Sequence, residues 1–310
     1  MILFINPPSR VDIYQELNTK LTAIEPPIWI RLLASYCEKK GIETDIIDLN
    51  AIEPDKLNVV GYDNPVKLIV IVAHGHQPSA STQTMPSVIE TCRAIKRNCP
   101  VPVLIIGGHP AALPEKTLEE TGADFICTGE GPITVWELWN NLNKPGNMSV
   151  SGLLGRWGPA VTVKTPFAEN IWNLTEEIPG GMWDKLPMEK YRAHNWHCFG
   201  EDSRQPYASI YTTLGCPYSC EFCNIQNPFR EGDKLTLKGK ANSYRMWHPT
   251  HVVDEIQLLV EKYGVRNLKI ADEMFVLNRS HVWNICQQII ERGLGDKLNM
   301  WCYARVDTLK

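Results

Sequence analysis

The chain has 310 residues, 44% of them hydrophobic and 21% charged, the balance of a globular protein long enough for two ordinary cores. Lysine and arginine number 31 against 35 aspartate and glutamate, a net charge of −4, so no large basic surface is on offer and nucleic acid is not an expected partner. No apolar run reaches the roughly eighteen residues of a membrane span, and the opening Met1-Ile2-Leu3-Phe4-Ile5-Asn6 is too short for a signal peptide.

Residues 2–5 are a short apolar run closed by Asn6-Pro7-Pro8, which reads as a strand entering a loop. Residues 11–27 have no clear period. A helix fits 27–40, with Ile28, Leu32, Leu33, Tyr36 and Cys37 on one face, Pro27 in its first turn and Gly41 at its end. A strand follows at 44–49. Residues 68–73, Leu-Ile-Val-Ile-Val-Ala, are apolar throughout, as a parallel strand buried on both faces must be. A helix at 86–97 turns Val88, Ile89, Cys92 and Ile95 inward. Residues 101–106 form another apolar strand, ending in Gly107-Gly108-His109-Pro110. A short helix at 115–121 and a strand at 123–127 come next, the strand ending at Gly129-Glu130-Gly131-Pro132. A helix carrying Val135, Leu138, Trp139 and Leu142 closes the unit.

Five strands alternating with helices predict an α/β fold, a doubly wound parallel five-stranded sheet over residues 1–142. Such sheets bind ligands beyond the carboxyl ends of their strands. Those ends here are 6–10, 74–78, 107–110 and 129–131, all rich in glycine, proline and small polar residues. No G-x-G-x-x-G follows the first strand, so a dinucleotide is poorly supported.

Residues 143–206 are expected to be an irregular linker, with 161–163 as one strand of a small hairpin. Its segment Tyr191-Arg192-Ala193-His194-Asn195-Trp196-His197-Cys198-Phe199 is dense in aromatic and metal-capable side chains. Two readings stand: filler packed on the next unit, or a lining between two ligand sites. The second unit, 207–310, opens with an apolar strand at 207–214. Then comes Gly215-Cys216-Pro217-Tyr218-Ser219-Cys220-Glu221-Phe222-Cys223. Three cysteines at this spacing, after a strand, suit an iron–sulfur cluster with one iron left open. A structural zinc site would want a fourth ligand, and Cys198 is distant in sequence. A helix begins at Pro249 and stops at Gly264. A strand at 268–271 ends in Asp272-Glu273, a helix follows through Val282 and Ile289, and a third strand at 299–303 ends at Arg305. Cys37, Cys92, Cys99, Cys127, Cys286 and Cys302 read as buried small hydrophobes. Ten cysteines without a leader sequence point to a reducing cytoplasm.

The order Asn-Pro-Pro, Gly-Gly-His-Pro, Gly-Glu-Gly and Cys-x₃-Cys-x₂-Cys resembles the cobalamin-dependent radical S-adenosylmethionine (SAM) enzymes. The resemblance spans essentially the whole chain. It implies a cobalamin-binding domain followed by a partial (β/α) barrel. It implies a 4Fe-4S cluster on Cys216, Cys220 and Cys223 as catalytic metal ligands. SAM would be bound with help from Phe222, Asp272, Glu273 and Arg305, and cobalamin by Asn6, His74, Gly107, Gly108, His109, Gly129 and Glu130. The loop after the first strand lacks the Asp-x-His-x-x-Gly of proteins that ligate cobalt from below, so no histidine ligand is expected there. The implied activity is methyl transfer from methylcobalamin to an unactivated carbon or phosphinate centre, after reductive SAM cleavage to a 5′-deoxyadenosyl radical. The His194–Phe199 segment leans toward the phosphinate methylases. A small-molecule substrate and an external electron donor of flavodoxin or ferredoxin type are implied as partners, with no nucleic acid or membrane.

A non-methylating cyclase or rearrangement of the same family, and a cobalamin- or cluster-binding sensor without turnover, are the alternatives. The family's six-stranded barrel needs about twice the residues present after Tyr207. The remainder is therefore expected from a longer chain or a second polypeptide, because a bare third strand exposes apolar edge.

Overall fold

The computed structural model describes residues 1–18, 21–52, 62–74, 78–142, 149–157, 161–198, 204–218, 220–221, 223–229 and 243–308. The chain opens with β1 (Ile2–Asn6), α1 (Ser9–Tyr14), α2 (Ile28–Lys39), β2 (Thr44–Asp48) and β3 (Leu68–Ala73). Then come α3 (Met85–Asn98), β4 (Val103–Gly107), α4 (Gly108–Ala112), α5 (Pro114–Thr121), β5 (Phe125–Cys127) and α6 (Pro132–Asn141). The middle of the chain holds β6 (Leu153–Trp157), β7 (Val161–Lys164) and the single turn α7 (Leu174–Glu177). The remainder is β8 (Tyr207–Ile210), β9 (Thr213–Leu214), β10 (Arg245–Met246), α8 (Pro249–Tyr263), β11 (Asn267–Ile270), α9 (Arg279–Glu291) and β12 (Asn299–Cys302).

The first sheet runs β2-β1-β3-β4-β5-β6-β7. Its first five strands are parallel, as expected, and the register lines up Ile5, Ile71, Ile105 and Ile126 in one row, every one fully buried. Alternation along β1 sends Leu3 and Ile5 toward α3 and α5 and Ile2 and Phe4 toward α2 and α6. The expected five-stranded sheet is corrected to seven: β6 and β7 extend it antiparallel beyond β5. Both come from the stretch expected to be linker. They are short and mixed in polarity, so neither carries the long apolar signature of the central strands.

Two other expectations change. Gly107-Gly108-His109-Pro110 is not an open loop, because α4 starts within it. The strand expected at 207–214 is two strands, since the chain turns at Tyr211-Thr212 and β9 pairs antiparallel with β10. The cause is Asp272, whose carboxylate accepts from the Thr212 backbone N–H at 2.6 Å.

The second sheet, β12-β11-β8, is all parallel, with α8 and α9 against its apolar face. Tyr207, Ser209, Lys269 and Trp301 share the opposite face by register. The core is continuous from Phe4, Leu33 and Val72 of the first unit to Ile210, Ile256 and Ile270 of the second. Three ion pairs also cross between the units, two of them buried on both sides and the Arg31 pair with a partly exposed glutamate. Arg31 meets Glu255 at 2.9 Å, Glu130 meets Arg245 at 3.0 Å, and Glu25 meets Lys269 at 2.9 Å. Among the described residues no helix is long and apolar enough to cross a membrane.

Candidate functional site

The sheet order reverses between β1 and β3, and the carboxyl ends of these strands carry Asn6 and His74. Asn6 donates through Nδ2 to Asp48 Oδ1 at 2.7 Å, and Tyr191 donates its hydroxyl to Asp48 Oδ2 at 2.9 Å. Burial pushes the Asp48 carboxyl up to about 6, against the donors that hold its charge. Tyr191 is therefore the residue by which the aromatic stretch after 190 reaches the first sheet's edge. The sequence could see the density of that stretch but not this partner.

His74 stacks on Trp29, centroids 5.7 Å apart, and its Nε2 lies 3.2 Å from the hydroxyl of Tyr211, just past β8. This trio walls two small cavities. One, of about 40 Å³, is lined by Asn6, Glu25, Trp29, Asn50, His74 and Tyr211. The other, of about 10 Å³, is lined by Trp29, His74, Tyr211, Gly215, Phe229 and Glu273. Small-molecule pockets run to roughly 300 Å³ or more, so a bulky ligand here requires the rims to part. A larger open groove of about 600 Å³ lies between the starts of α8 and α9, and no cysteine lines it.

Gly107 sits at φ +151, and a Cβ there would lie 2.1 Å from the Ala73 carbonyl oxygen. Only glycine lets β4 close so tightly on β3. The backbone N–H of His109 donates to Ser81 Oγ at 3.0 Å, and its ring Nδ1 lies 3.1 Å from Thr82 Oγ1. Gly107, Gly108, His109 and Gly129 line neither of the two cavities at the edge. Glu130 turns inward, where its carboxylate accepts from Arg245 and from the Ile171 backbone N–H at 2.9 Å. It ties the first sheet to β10.

The acidic pair after β11 separates into two roles. Asp272 is fully buried. Its carboxylate accepts from Thr212 N–H, from the Thr212 hydroxyl and from the Thr213 hydroxyl at 2.9 Å. Burial still raises it to about 6. Glu273 is raised to about 7, by burial first and by neighbouring Asp272, against the pull of Lys269. Among the described residues its buried Oε1 has no hydrogen-bond partner, and the side chain lines the smaller cavity. Of the two acids, Glu273 offers an unused acceptor.

The cysteine loop is clamped by residues that carried no sequence signal. Gln226 Nε2 donates to the carbonyls of Cys216 and Tyr218, and Ser243 Oγ donates to Gln226 Oε1 at 2.6 Å. Gly215, at φ +77, approaches Ser243 so closely that a Cβ would fall 2.3 Å from its carbonyl oxygen. Cys216 is buried, while Cys220 and Cys223 are exposed. Burial pushes the Cys216 thiol up, and the charges of Cys223 and Cys220 add to that. Among the described residues no three His, Cys, Asp or Glu side chains converge where a single ion would sit. A lone zinc draws its thiolates to about 2.3 Å, whereas a cluster takes each on a separate iron. Three cysteines on one clamped loop are the donor set that a cluster, taking each thiolate on its own iron, would use. Arg305 Nη1 lies 3.9 Å from Cys220 Sγ. Phe222 lies outside the described residues. Cys286 and Cys302, expected to be buried, are exposed, Cys302 because β12 is the outer strand of its sheet among the described residues.

Residues 16–138 match the family model of the B12 binding domain, which bears out the resemblance read from the motifs of the first unit. An uncharacterized methyltransferase of Pyrococcus horikoshii is 25% identical over 99% of this chain and 60% of its own length. An anaerobic magnesium-protoporphyrin IX monomethyl ester cyclase of Rubrivivax gelatinosus is 26% identical over 95% of this chain and 49% of its own length. The chain thus spans about half the length of the curated relatives it matches. The radical S-adenosylmethionine methyltransferase TsrM from Kitasatospora setae, solved with a tryptophan substrate and a SAM analogue, superposes with a TM-score of 0.65. That match is at 19% identity and covers 98% of this chain and 54% of that one, which supports the fold.

Proposed function

We propose that this chain, which carries a B12 binding domain over residues 16–138, works as part of a cobalamin-dependent radical SAM methyltransferase. One observation carries the reading. The switch-point edge of the first sheet and the Glu273 side of the cysteine loop share a single wall, Trp29, His74 and Tyr211. Two ligand sites on either side of that wall would be neighbours.

In this reading residues 1–142 hold cobalamin along Asn6, His74, Gly107, Gly108, His109 and Gly129, residues 143–206 connect, and residues 207–310 begin a radical SAM barrel. Cys216, Cys220 and Cys223 hold the 4Fe-4S cluster. When bound, the cofactors supply reductive SAM cleavage and delivery of a methyl group to an unactivated carbon or phosphinate centre. The chain's own residues bind and orient. Glu273 offers its free carboxylate oxygen to the SAM ammonium, a charge-assisted bond available once the carboxyl is ionised. Asp272 holds the β8–β9 turn so that Glu273 faces the cavity. Burial drives the Tyr211 hydroxyl well above its usual pKa, so it stays protonated and able to donate toward His74, while Trp29 covers that ring. The substrate is a small molecule, electrons come from a flavodoxin- or ferredoxin-type donor, and the setting is a reducing cytoplasm.

The test is anaerobic reconstitution with iron and sulfide on the wild type and on a Cys216→Ala, Cys220→Ala, Cys223→Ala variant. Iron retained equally by both refutes the cluster assignment. The similarity to a cyclase over 95% of the chain keeps a second reading, a non-methylating reaction on the same cofactors. Product counting separates them: a methyltransferase yields S-adenosylhomocysteine alongside 5′-deoxyadenosine, and a cyclase yields none.

A further inference from the structure

The segment after β12 returns one cation to the cysteine loop. Arg305 Nη1 lies 3.9 Å from Cys220 Sγ, and the guanidinium carbon lies 4.1 Å from the centre of the Tyr218 ring. Asp307 grips the other side of the fork. Arg305 donates from Nε to Oδ1 at 3.0 Å and from Nη2 to Oδ2 at 2.7 Å. A long side chain is not fixed by one sulfur. Here the ring fixes the plane and the carboxylate fixes the rotation, which leaves Nη1 for the thiol.

We propose that Arg305 is a positioning residue whose charge, set beside the Cys220 sulfur and partly offset by Asp307, raises the electron affinity of the iron–sulfur cluster. The inference rests on the cluster reading above. It assigns Arg305 a task that does not need SAM or substrate. Reducing a thiolate-bound cluster adds negative charge, and a cation at hydrogen-bond distance from a ligand sulfur favours the reduced state. The pair is exposed, so water and salt weaken the effect without reversing its sign.

The test is a redox titration of the reconstituted full chain, followed by electron paramagnetic resonance, without SAM, for wild type, Arg305→Met and Asp307→Asn. Removing the cation should make the cluster harder to reduce. The oxidised-to-reduced ratio at fixed potential should rise about tenfold, which is about 59 mV for one electron. Removing the carboxylate frees the cation and should shift the potential the other way. General loosening of the loop cannot give opposite signs. An unchanged potential in Arg305→Met with full iron content, or both variants moving together, overturns the proposal and leaves the cluster reading standing. Absence of iron from the wild type sinks both. Should Arg305→Met lose its iron, Asp307→Asn decides alone: easier reduction supports the proposal, and no shift or the reverse overturns it.

Discussion

Arg245→Met tests whether the two units are joined through a closed interface. Arg245 and Glu130 are both nearly inaccessible, at 4% and 2% exposure, with the guanidinium 3.0 Å from the carboxylate. Removing one partner of such a pair strands the other charge and typically costs about 3–5 kcal/mol. The Ile171 backbone N–H still donates to Glu130, which lowers the cost. The carbonyls of Ile171 and Ser243 lose the donors they now have from Arg245, which adds about 1 kcal/mol each. A loss near 4 kcal/mol is expected, or a fall in melting temperature of roughly 10 °C for a chain of this size. Burial already raises the Glu130 carboxyl and Arg245 opposes it, so the variant should keep Glu130 protonated to higher pH. A carboxyl with a raised folded pKa stabilises while protonated and loses that as pH rises. The deficit should therefore be smaller near pH 5 than near pH 8, and a Glu130→Leu, Arg245→Met double variant should recover much of it. Thermal melts of the four proteins at both pH values measure this. A deficit below about 1 kcal/mol at neutral pH, the scale of an exposed pair, would refute the closed interface.

Glu273→Gln should weaken SAM binding by about tenfold or more, the scale of a charge-assisted bond. In the wild type, affinity should fall as pH drops below about 7, where Glu273 gains a proton; equilibrium dialysis at several pH values measures both. Asp272→Asn should instead lower thermal stability by about 1–3 kcal/mol, because three donors lose a charged acceptor. Gly215→Ala should cost several degrees of melting temperature and reduce iron retention, since its Cβ would meet the Ser243 carbonyl at 2.3 Å. With a thiol reagent, Cys286 and Cys302 should label in the native state while Cys37, Cys92 and Cys127 label only after unfolding; native labelling of Cys92 would contradict the packing of α3.

The parallel core was legible because its two central strands, β3 and β4, are apolar runs of five or six residues, and β1 and β4 stop at Asn6 and Gly107. What escaped was set by partners distant in sequence. Tyr211-Thr212 continues the apolar look of β8, yet the chain bends there because Asp272, sixty positions on, takes the Thr212 N–H. Gln226 and Ser243 sit in polar stretches with no period, and only folding brings Gln226 onto the Cys216 carbonyl and Ser243 onto Gln226. The motif Gly129-Glu130-Gly131 looked like a ligand edge, but the acid within it answers Arg245, 115 residues later.

The acidic pair shows where local reading stops and geometry begins. In sequence Asp272 and Glu273 are equivalent candidates for an ammonium. Both lie past the end of β11, where the chain turns, and there Asp272 faces the β8–β9 turn while Glu273 lines the cavity. Asp272 meets a ready-made set of donors, the Thr212 N–H and two threonine hydroxyls, and is consumed by them. Glu273 lines the smaller cavity, and among the described residues its buried Oε1 has no hydrogen-bond partner. A buried carboxylate oxygen that makes no hydrogen bond is costly. The proposed SAM ammonium would relieve that cost, so part of its binding energy would come from a penalty the fold already carries. In the proposed reading, the acid that looks less stable in the folded chain is for that reason the one assigned to the ammonium.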